Sequence, residues 1–279
     1  MGPLANSKLA DFIRRNFLLK SLVRGVYQIF IFPFTRKGVD VNIGGAGKYR
    51  LDYIFALRGY DGFGDKHNAG FRKWIDCCRD KKIVFDVGAH IGLYTIPAAK
   101  AIRQDGRVYA FEPGAANRKY LMRHFKYNNV SNAIIAPYLV GEESKKEQLF
   151  YENKKTDPMN SLHPKKNVWL YKRVYREQVT LDDFVRWNNI EPQVIKIDVE
   201  GAEYCVLKGA YEAIKRYSPV IFLSVHPKQL GLFGSSAAEV LELINSLQYT
   251  AHNCNGEKVS ELDFGEYILS KKTGSIDNG

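Results

Sequence analysis

The sequence predicts an α/β domain built on a doubly wound, mainly parallel sheet with helices on both faces. Three observations predict it. Apolar runs too continuous for half-exposed strands alternate with helical segments between residues 83 and 270. A turn carrying Gly88 and Gly92 leads out of the first run into a helix. Asp86, Glu112, Asp198 and His226 each stand at the end of a predicted strand. Sheets of this kind bind ligands beyond the carboxyl ends of their strands, where the strand order reverses.

Taken in order, residues 1–48 form a basic, apolar extension with eight Lys or Arg against Asp11 and Asp40. Its apolar positions from Phe12 to Phe32 predict a helix that Pro33 ends. The uncharged run between Arg24 and Arg36 is short of the roughly 20 residues needed to cross a bilayer. No small-residue cleavage site marks a signal peptide. Such a helix suits packing on the domain, a dimer interface, or an anionic membrane surface met through residues 9–32, and these alternatives stay open. Residues 49–81 form a prelude, with turns at Gly59, Gly62, Gly64 and Gly70 and a helix over 71–78.

The domain proper covers residues 82–272, followed by a tail at 273–279. Its predicted order is strand 83–87, helix 93–103, strand 107–111, helix 115–127 and strand 132–140, then an irregular polar insertion at 141–178. Helix 181–188, strand 193–198, helix 203–216, strand 219–225, helix 236–247 and closing strands at 248–253 and 265–270 complete it. At 279 residues, 45% hydrophobic and 25% charged, the chain can bury one substantial core with a modest appendage. Cys77, Cys78, Cys205 and Cys254 lack paired metal-ligand spacing, which points to packing roles and a reducing, cytoplasmic setting. No residue is assigned to a metal. The net charge of +11 favours an anionic partner without choosing among nucleic acid, phosphorylated carrier and membrane.

The turn Asp86-x-Gly88-x-x-x-Gly92 is not a dinucleotide fingerprint, because His90 fills the place of the middle glycine. An acid at the end of the first strand would also repel a pyrophosphate, whereas it suits the cationic amino-acid end of S-adenosylmethionine. Glu112 lies 20 residues past Gly92, the spacing at which a carboxylate accepts hydrogen bonds from both ribose hydroxyls. In the segment Val194 to Glu203, four apolar or strand-interior positions place Asp198 at a strand exit, with Glu200 and Glu203 entering the next helix. These carboxylates can orient a donor, accept a proton or ligate a divalent ion, although Glu200 and Glu203 also suit a helix dipole without any function.

The combined pattern Val84-Phe85-Asp86-Val87-Gly88-Ala89-His90-Ile91-Gly92, Phe111-Glu112-Pro113, Val179-Thr180-Leu181-Asp182-Asp183, Ile195-Lys196-Ile197-Asp198-Val199-Glu200-Gly201-Ala202-Glu203, Val206-Leu207-Lys208-Gly209-Ala210 and His226-Pro227 resembles the FkbM family of S-adenosylmethionine-dependent methyltransferases. It covers roughly residues 80–270. The resemblance implies a class I methyltransferase, Rossmann-like fold and O-methylation of hydroxyls on sugars or secondary metabolites. It implies that Asp86, Gly88, Ala89, His90 and Gly92 border the methionine end of the cofactor, and that Glu112, followed by Pro113, holds its ribose. His90 stands where the family often has Asn, and Ser224 where an acid commonly precedes the His-Pro pair.

The chemistry asks for an acceptor oxygen aligned with the carbon–sulfur bond and a group that takes its proton. His226 is the best-matched base near neutral pH, Asp198 is the runner-up or orients His226, and Glu200 stands beside them. Lys196, inside its strand, is expected to pair with an acid. The insertion 141–178, rich in Lys pairs and aromatic residues, is expected either to flank a glycan, lipid-linked sugar or small-molecule acceptor or to be an ordinary solvated hairpin. Two other classes remain: a nucleic-acid methyltransferase, whose Asn/Asp-Pro-Pro-Tyr/Phe signature is missing here, and a noncatalytic module recruited to membranes. The sequence leaves the oligomeric state open.

Overall fold

A computed structural model describes residues 38–55, 58–64, 68–153 and 171–272. The helix expected between Phe12 and Phe32, the centre of the insertion at 154–170 and the tail lie outside the described residues.

Seven strands form the central sheet: β3 (Ile83–Val87), β4 (Arg107–Phe111), β5 (Ala133–Ala136), β9 (Val194–Ile197), β10 (Val220–Val225), β11 (Tyr249–Asn253) and β12 (Gly265–Lys271), in the spatial order β11-β12-β10-β9-β3-β4-β5. All pairs from β10 to β5 are parallel, and β12 runs antiparallel between β10 and β11. The order reverses between β3 and β9, so the exits of those two strands open the crevice where such sheets take ligands.

Alternate residues of the strands feed two cores. On one face Phe85, Ile195 and Leu223 pack under α4 (Leu181–Asn188), α5 (Glu203–Lys208), α6 (Tyr211–Tyr217) and α7 (Ala237–Ser246). On the other, Val84, Val194 and Phe222 pack under α1 (Phe71–Cys78), α2 (Thr95–Ala101) and α3 (Ala115–Tyr127). Burial on both faces is why the strand runs read as continuously apolar. Across the join of the extension and the prelude lies a hairpin, β1 (Val39–Asn42) with β2 (Lys48–Leu51), that the sequence reading did not contain. His124 of α3 fastens the segment after it. Its Nδ1–H donates to Ile91 O at 2.8 Å and its Nε2 accepts from Asp52 N–H at 2.9 Å, a neutral arrangement that matches a pKa lowered to about 4 by burial.

Three predicted elements are corrected. The single strand at 132–140 is two: β5 joins the central sheet, whereas β6 (Leu139–Val140) pairs with β8 (Tyr171–Val179) in a second sheet. Pro137, which cannot donate to a ladder, stands at the break. The polar insertion, read as irregular or as a solvated hairpin, is a long antiparallel pair, β7 (Lys145–Asn153) with β8. Its charged outer positions hide an inner row in which Phe150 and Glu152 are buried. The helix at 203–216 breaks at Gly209, whose carbonyl accepts from Asp182 N–H. The Asp182 carboxylate then caps α6 by accepting from Glu212 N–H and Ala213 N–H at 3.1 and 2.7 Å.

Candidate active site

A cleft of about 370 Å³ opens over the exits of β3, β4 and β9. Its floor begins with Asp86, buried at the end of β3, which accepts a hydrogen bond from Thr95 Oγ at 2.5 Å. Burial raises its pKa, against the opposing pull of Lys196 and Thr95. In the turn that follows, the amides are taken up within the protein. Gly88 and Ala89 N–H both donate to Phe111 O, His90 N–H donates to Glu112 Oε2, and Gly92 N–H donates to Ala89 O. The glycines serve close packing instead. A Cβ on Gly88 (φ 89°) would stand 1.9 Å from Asp198 O, and one on Gly92 (φ 93°) would stand 2.7 Å from Leu121 Cδ1. Gly88, Ala89 and His90 line the cleft; Gly92 lies behind it.

Glu112 closes β4, buried but lining the cleft together with Pro113. Besides the turn amide of His90 at 2.9 Å, it accepts from Gly114 N–H at 2.7 Å and Asn117 Nδ2 at 3.1 Å. Burial still wins over these bonds and raises its pKa to about 7. Tyr138, Leu139, Val140 and Phe150, from β6, β7 and the link before them, wall the cleft with apolar surface beyond Glu112. The second sheet therefore borders the cleft beside Glu112.

The opposite end is polar. Lys196, buried inside β9, donates to Asp198 Oδ2 at 2.8 Å and lies 4.2 Å from the centre of the Tyr94 ring. Burial works against its charge, but Asp198, Asp86 and Glu266 outweigh that and raise its pKa. His226, buried at the exit of β10, bonds through Nδ1 to Glu203 Oε1 at 2.7 Å. Its Nε2 faces Asp198 Oδ1 at 3.8 Å and Glu200 Oε2 at 3.9 Å. Burial opposes its positive charge, yet the Glu203 hydrogen bond and the neighbouring carboxylates hold its pKa above the ordinary imidazole value. The cluster Asp198, Glu200 and His226 thus brings together the three residues that the sequence placed in catalysis, with one ligand atom from each within 4.8 Å of the others.

Several participants were missed or misread in the sequence. Glu203 is wholly buried and orients His226; the sequence left it between a chemical role and a helix-dipole role and did not place it in the catalytic set. Glu266 accepts from Tyr94 O–H at 2.6 Å and Gly70 N–H at 2.9 Å, which ties the prelude and α2 to β12 beneath the cleft. A lone acid within the apolar run Glu266-Tyr267-Ile268-Leu269 was its signal. Asn117, Arg58, Tyr60, Phe63 and Phe233 also line the cleft. Only the local clustering of aromatic residues with Gly59, Gly62 and Gly64 could have pointed to the prelude members.

The donor half fits S-adenosylmethionine in chemistry. Glu112 is a carboxylate of the kind that accepts ribose hydroxyls, the apolar wall suits a purine ring, and Asp86 suits the cationic end. The family model described as the methyltransferase FkbM domain matches residues 86–251, from Asp86 through the exits of β4, β9 and β10. The chain belongs to the FkbM methyltransferase family. Its domain is that of S-adenosylmethionine-dependent methyltransferases, with the class I, Rossmann-like fold.

Among solved structures, the FkbM methyltransferase of Methylobacillus flagellatus KT is 19% identical, with 68% of this chain and 43% of that one covered and a TM-score of 0.44. The methyltransferase chain thus spans less than half the length of that relative. A precorrin-6y C5,15-methyltransferase from Geobacter metallireducens GS-15 is 14% identical, covering 74% of this chain and 89% of that one at a TM-score of 0.42. An O-methyltransferase from Bacillus cereus, in complex with SAH, is 12% identical, covering 71% and 76% at 0.41. No curated protein matches the chain.

Proposed function

We propose that the chain is an S-adenosylmethionine-dependent O-methyltransferase acting on a hydroxyl of a glycan, a lipid-linked sugar or a secondary metabolite. One observation carries this reading: Asp198 and Glu200 line the cleft with His226 Nε2 at 3.8 and 3.9 Å from them, and Glu112, the ribose-binding type of carboxylate, lines the same cleft. When bound, the cofactor supplies a sulfonium methyl that is already activated. The protein has to hold an acceptor oxygen in line and deal with its proton. Glu112 holds the donor end, and Glu203 fixes the His226 ring so that Nε2 faces the incoming hydroxyl beside Asp198 and Glu200. Arg58, Tyr60 and Phe63 border the acceptor side. Aromatic faces and a guanidinium suit a sugar that carries an anionic group.

Recruitment to an anionic membrane through residues 9–32 belongs to the same proposal and is supported by their basic, apolar composition. No helix among the described residues is long and apolar enough to cross a membrane.

The test is a labelled-methyl transfer screen over glycans, lipid-linked sugars and RNA, run beside calorimetric binding of S-adenosylmethionine. Methyl transfer to a hydroxylated acceptor is expected, and His226→Ala and Asp198→Ala should each lower turnover about 100-fold or more while leaving cofactor affinity within a few-fold. Transfer to RNA alone, or no binding of the cofactor, would sink the proposal.

A further inference from the structure

Asp198, Glu200 and His226 present more than a proton acceptor. The three converging atoms are two carboxylate oxygens and an imidazole nitrogen, and the gaps of 3.8 and 3.9 Å from Nε2 are too long for hydrogen bonds. Around a cation with bonds of about 2.1–2.5 Å, ligands set about 110° apart stand roughly 3.4–4.1 Å from one another, a range that contains both gaps. From the geometry of Asp198 Oδ1, Glu200 Oε2 and His226 Nε2, we infer a divalent-cation site at the acceptor end of the cleft.

Two independent features support it. The first is the outer shell. Lys196 holds the other oxygen of Asp198 at 2.8 Å, so Oδ1 is turned toward the histidine. Glu203 takes the Nδ1–H of the ring at 2.7 Å, which sets the tautomer whose Nε2 lone pair faces the carboxylates. A buried carboxylate behind a histidine is the arrangement that raises the basicity of a ligating imidazole. The second is charge. Glu203 is wholly buried, and its Oε2 has no hydrogen-bond partner among the described residues. With Asp198 and Glu200 it makes three carboxylates around the His226 ring, of which Asp198 is paired with Lys196. With the imidazole neutral, as a metal ligand has to be, these carboxylates outnumber that ammonium, and a divalent ion offsets the excess negative charge.

This inference rests on the functional reading above and deepens it. Three protein ligands leave coordination positions open toward the cleft, where an acceptor hydroxyl can bind. The cation then orients that oxygen and increases its acidity, and the proton passes to solvent instead of Nε2. On methyl transfer the oxygen forms a bond to the methyl carbon, while the carbon–sulfur pair returns to sulfur.

Chelator-treated full-length protein, titrated with Mn2+ and followed by the loss of the free-ion paramagnetic resonance signal, tests the site. One ion per chain is expected, displaced by Mg2+ or Ca2+. Asp198→Asn and Glu200→Gln should weaken binding at least tenfold, and Glu203→Gln should weaken it severalfold. Circular dichroism and binding of S-adenosylhomocysteine establish that each variant is folded. Glu143→Gln, on the exposed surface, serves as the control and should leave Mn2+ affinity unchanged. Absence of a stoichiometric site, or Mn2+ affinity unaltered in both Asp198→Asn and Glu200→Gln, overturns the inference. Methyl transfer undiminished by chelator, with no Mn2+ bound, removes the cation site and leaves the O-methyltransferase reading intact. Stoichiometric Mn2+ binding without transfer to any hydroxyl removes that reading and leaves the site.

Discussion

At the scale of single residues, Glu112 and Gly88 carry the sharpest consequences. Because burial raises the Glu112 pKa to about 7, its carboxylate gains a proton as pH falls through neutrality and loses the capacity to accept both ribose hydroxyls. A ligand that prefers the ionised form binds more weakly at lower pH. Calorimetry with S-adenosylhomocysteine should show affinity falling severalfold or more between pH 8 and pH 6, and Glu112→Gln should bind at least tenfold more weakly at pH 8 with that pH dependence largely removed. An unchanged profile in the variant would dissociate Glu112 from the cofactor. At Gly88, an added Cβ meets the Asp198 backbone carbonyl in a left-handed backbone conformation, so Gly88→Ala should cost about 3 kcal/mol in urea unfolding. At Gly92 the obstacle is the tip of the flexible Leu121 side chain, and Gly92→Ala should cost about 1–2 kcal/mol. Both glycines were legible in the sequence as a turn, but their reason was not. Amide acceptors such as Phe111 O and packing partners such as Leu121 lie far along the chain and leave no local signature.

At the scale of elements, the second sheet is a working wall of the cleft and not an ornament on it. Glu152 on β7 accepts from Ala115 and Ala116 N–H at the start of α3, and Arg176 on β8 joins Glu152 at 2.7 Å to Pro113 O at 2.9 Å. Arg176→Ala takes away the closest cationic partner of a buried carboxylate. It should lower stability by about 1–3 kcal/mol, read as the urea midpoint. Because the same guanidinium steadies the loop after Glu112, cofactor affinity should fall a few-fold as well. Loss of stability with unchanged affinity would show that the wall does not shape the site. Legibility divides along the same line. Strands β3 and β4 and helices α1 and α3 carry their boundaries in local pattern, and all four were read to the residue. The β7–β8 pair was not, because one buried row of mixed character, Phe150 and Glu152, under an exposed charged face resembles a loop in composition. The break between α5 and α6 was set by Asp182, more than twenty positions earlier.

At the scale of the whole molecule, the central sheet and its reversal between β3 and β9 assemble a site from segments well separated in sequence. Asp86, Glu112, Asp198 and His226 could each be placed at a strand end from the sequence, and the parallel register then brings those ends together. What stayed illegible is the partnership among them, because Glu203 with His226 and Glu266 with Tyr94 are tertiary hydrogen bonds. Removal of residues 1–36, which precede the β1–β2 hairpin, should leave S-adenosylhomocysteine affinity within twofold and abolish sedimentation with anionic vesicles. Retained sedimentation would place membrane contact elsewhere. The antiparallel insertion of β12 between β10 and β11 also orders events in time. A ribosome adding roughly 5–20 residues per second delivers β10 a few seconds before β12. Until β12 slots into the gap, the Gly70 amide and the Tyr94 hydroxyl have no Glu266 to bind, and the ground beneath Lys196 is unfinished. A nascent chain stalled before Glu266 should therefore fail to retain S-adenosylhomocysteine, so that competence to hold the methyl donor certifies that translation has passed this strand.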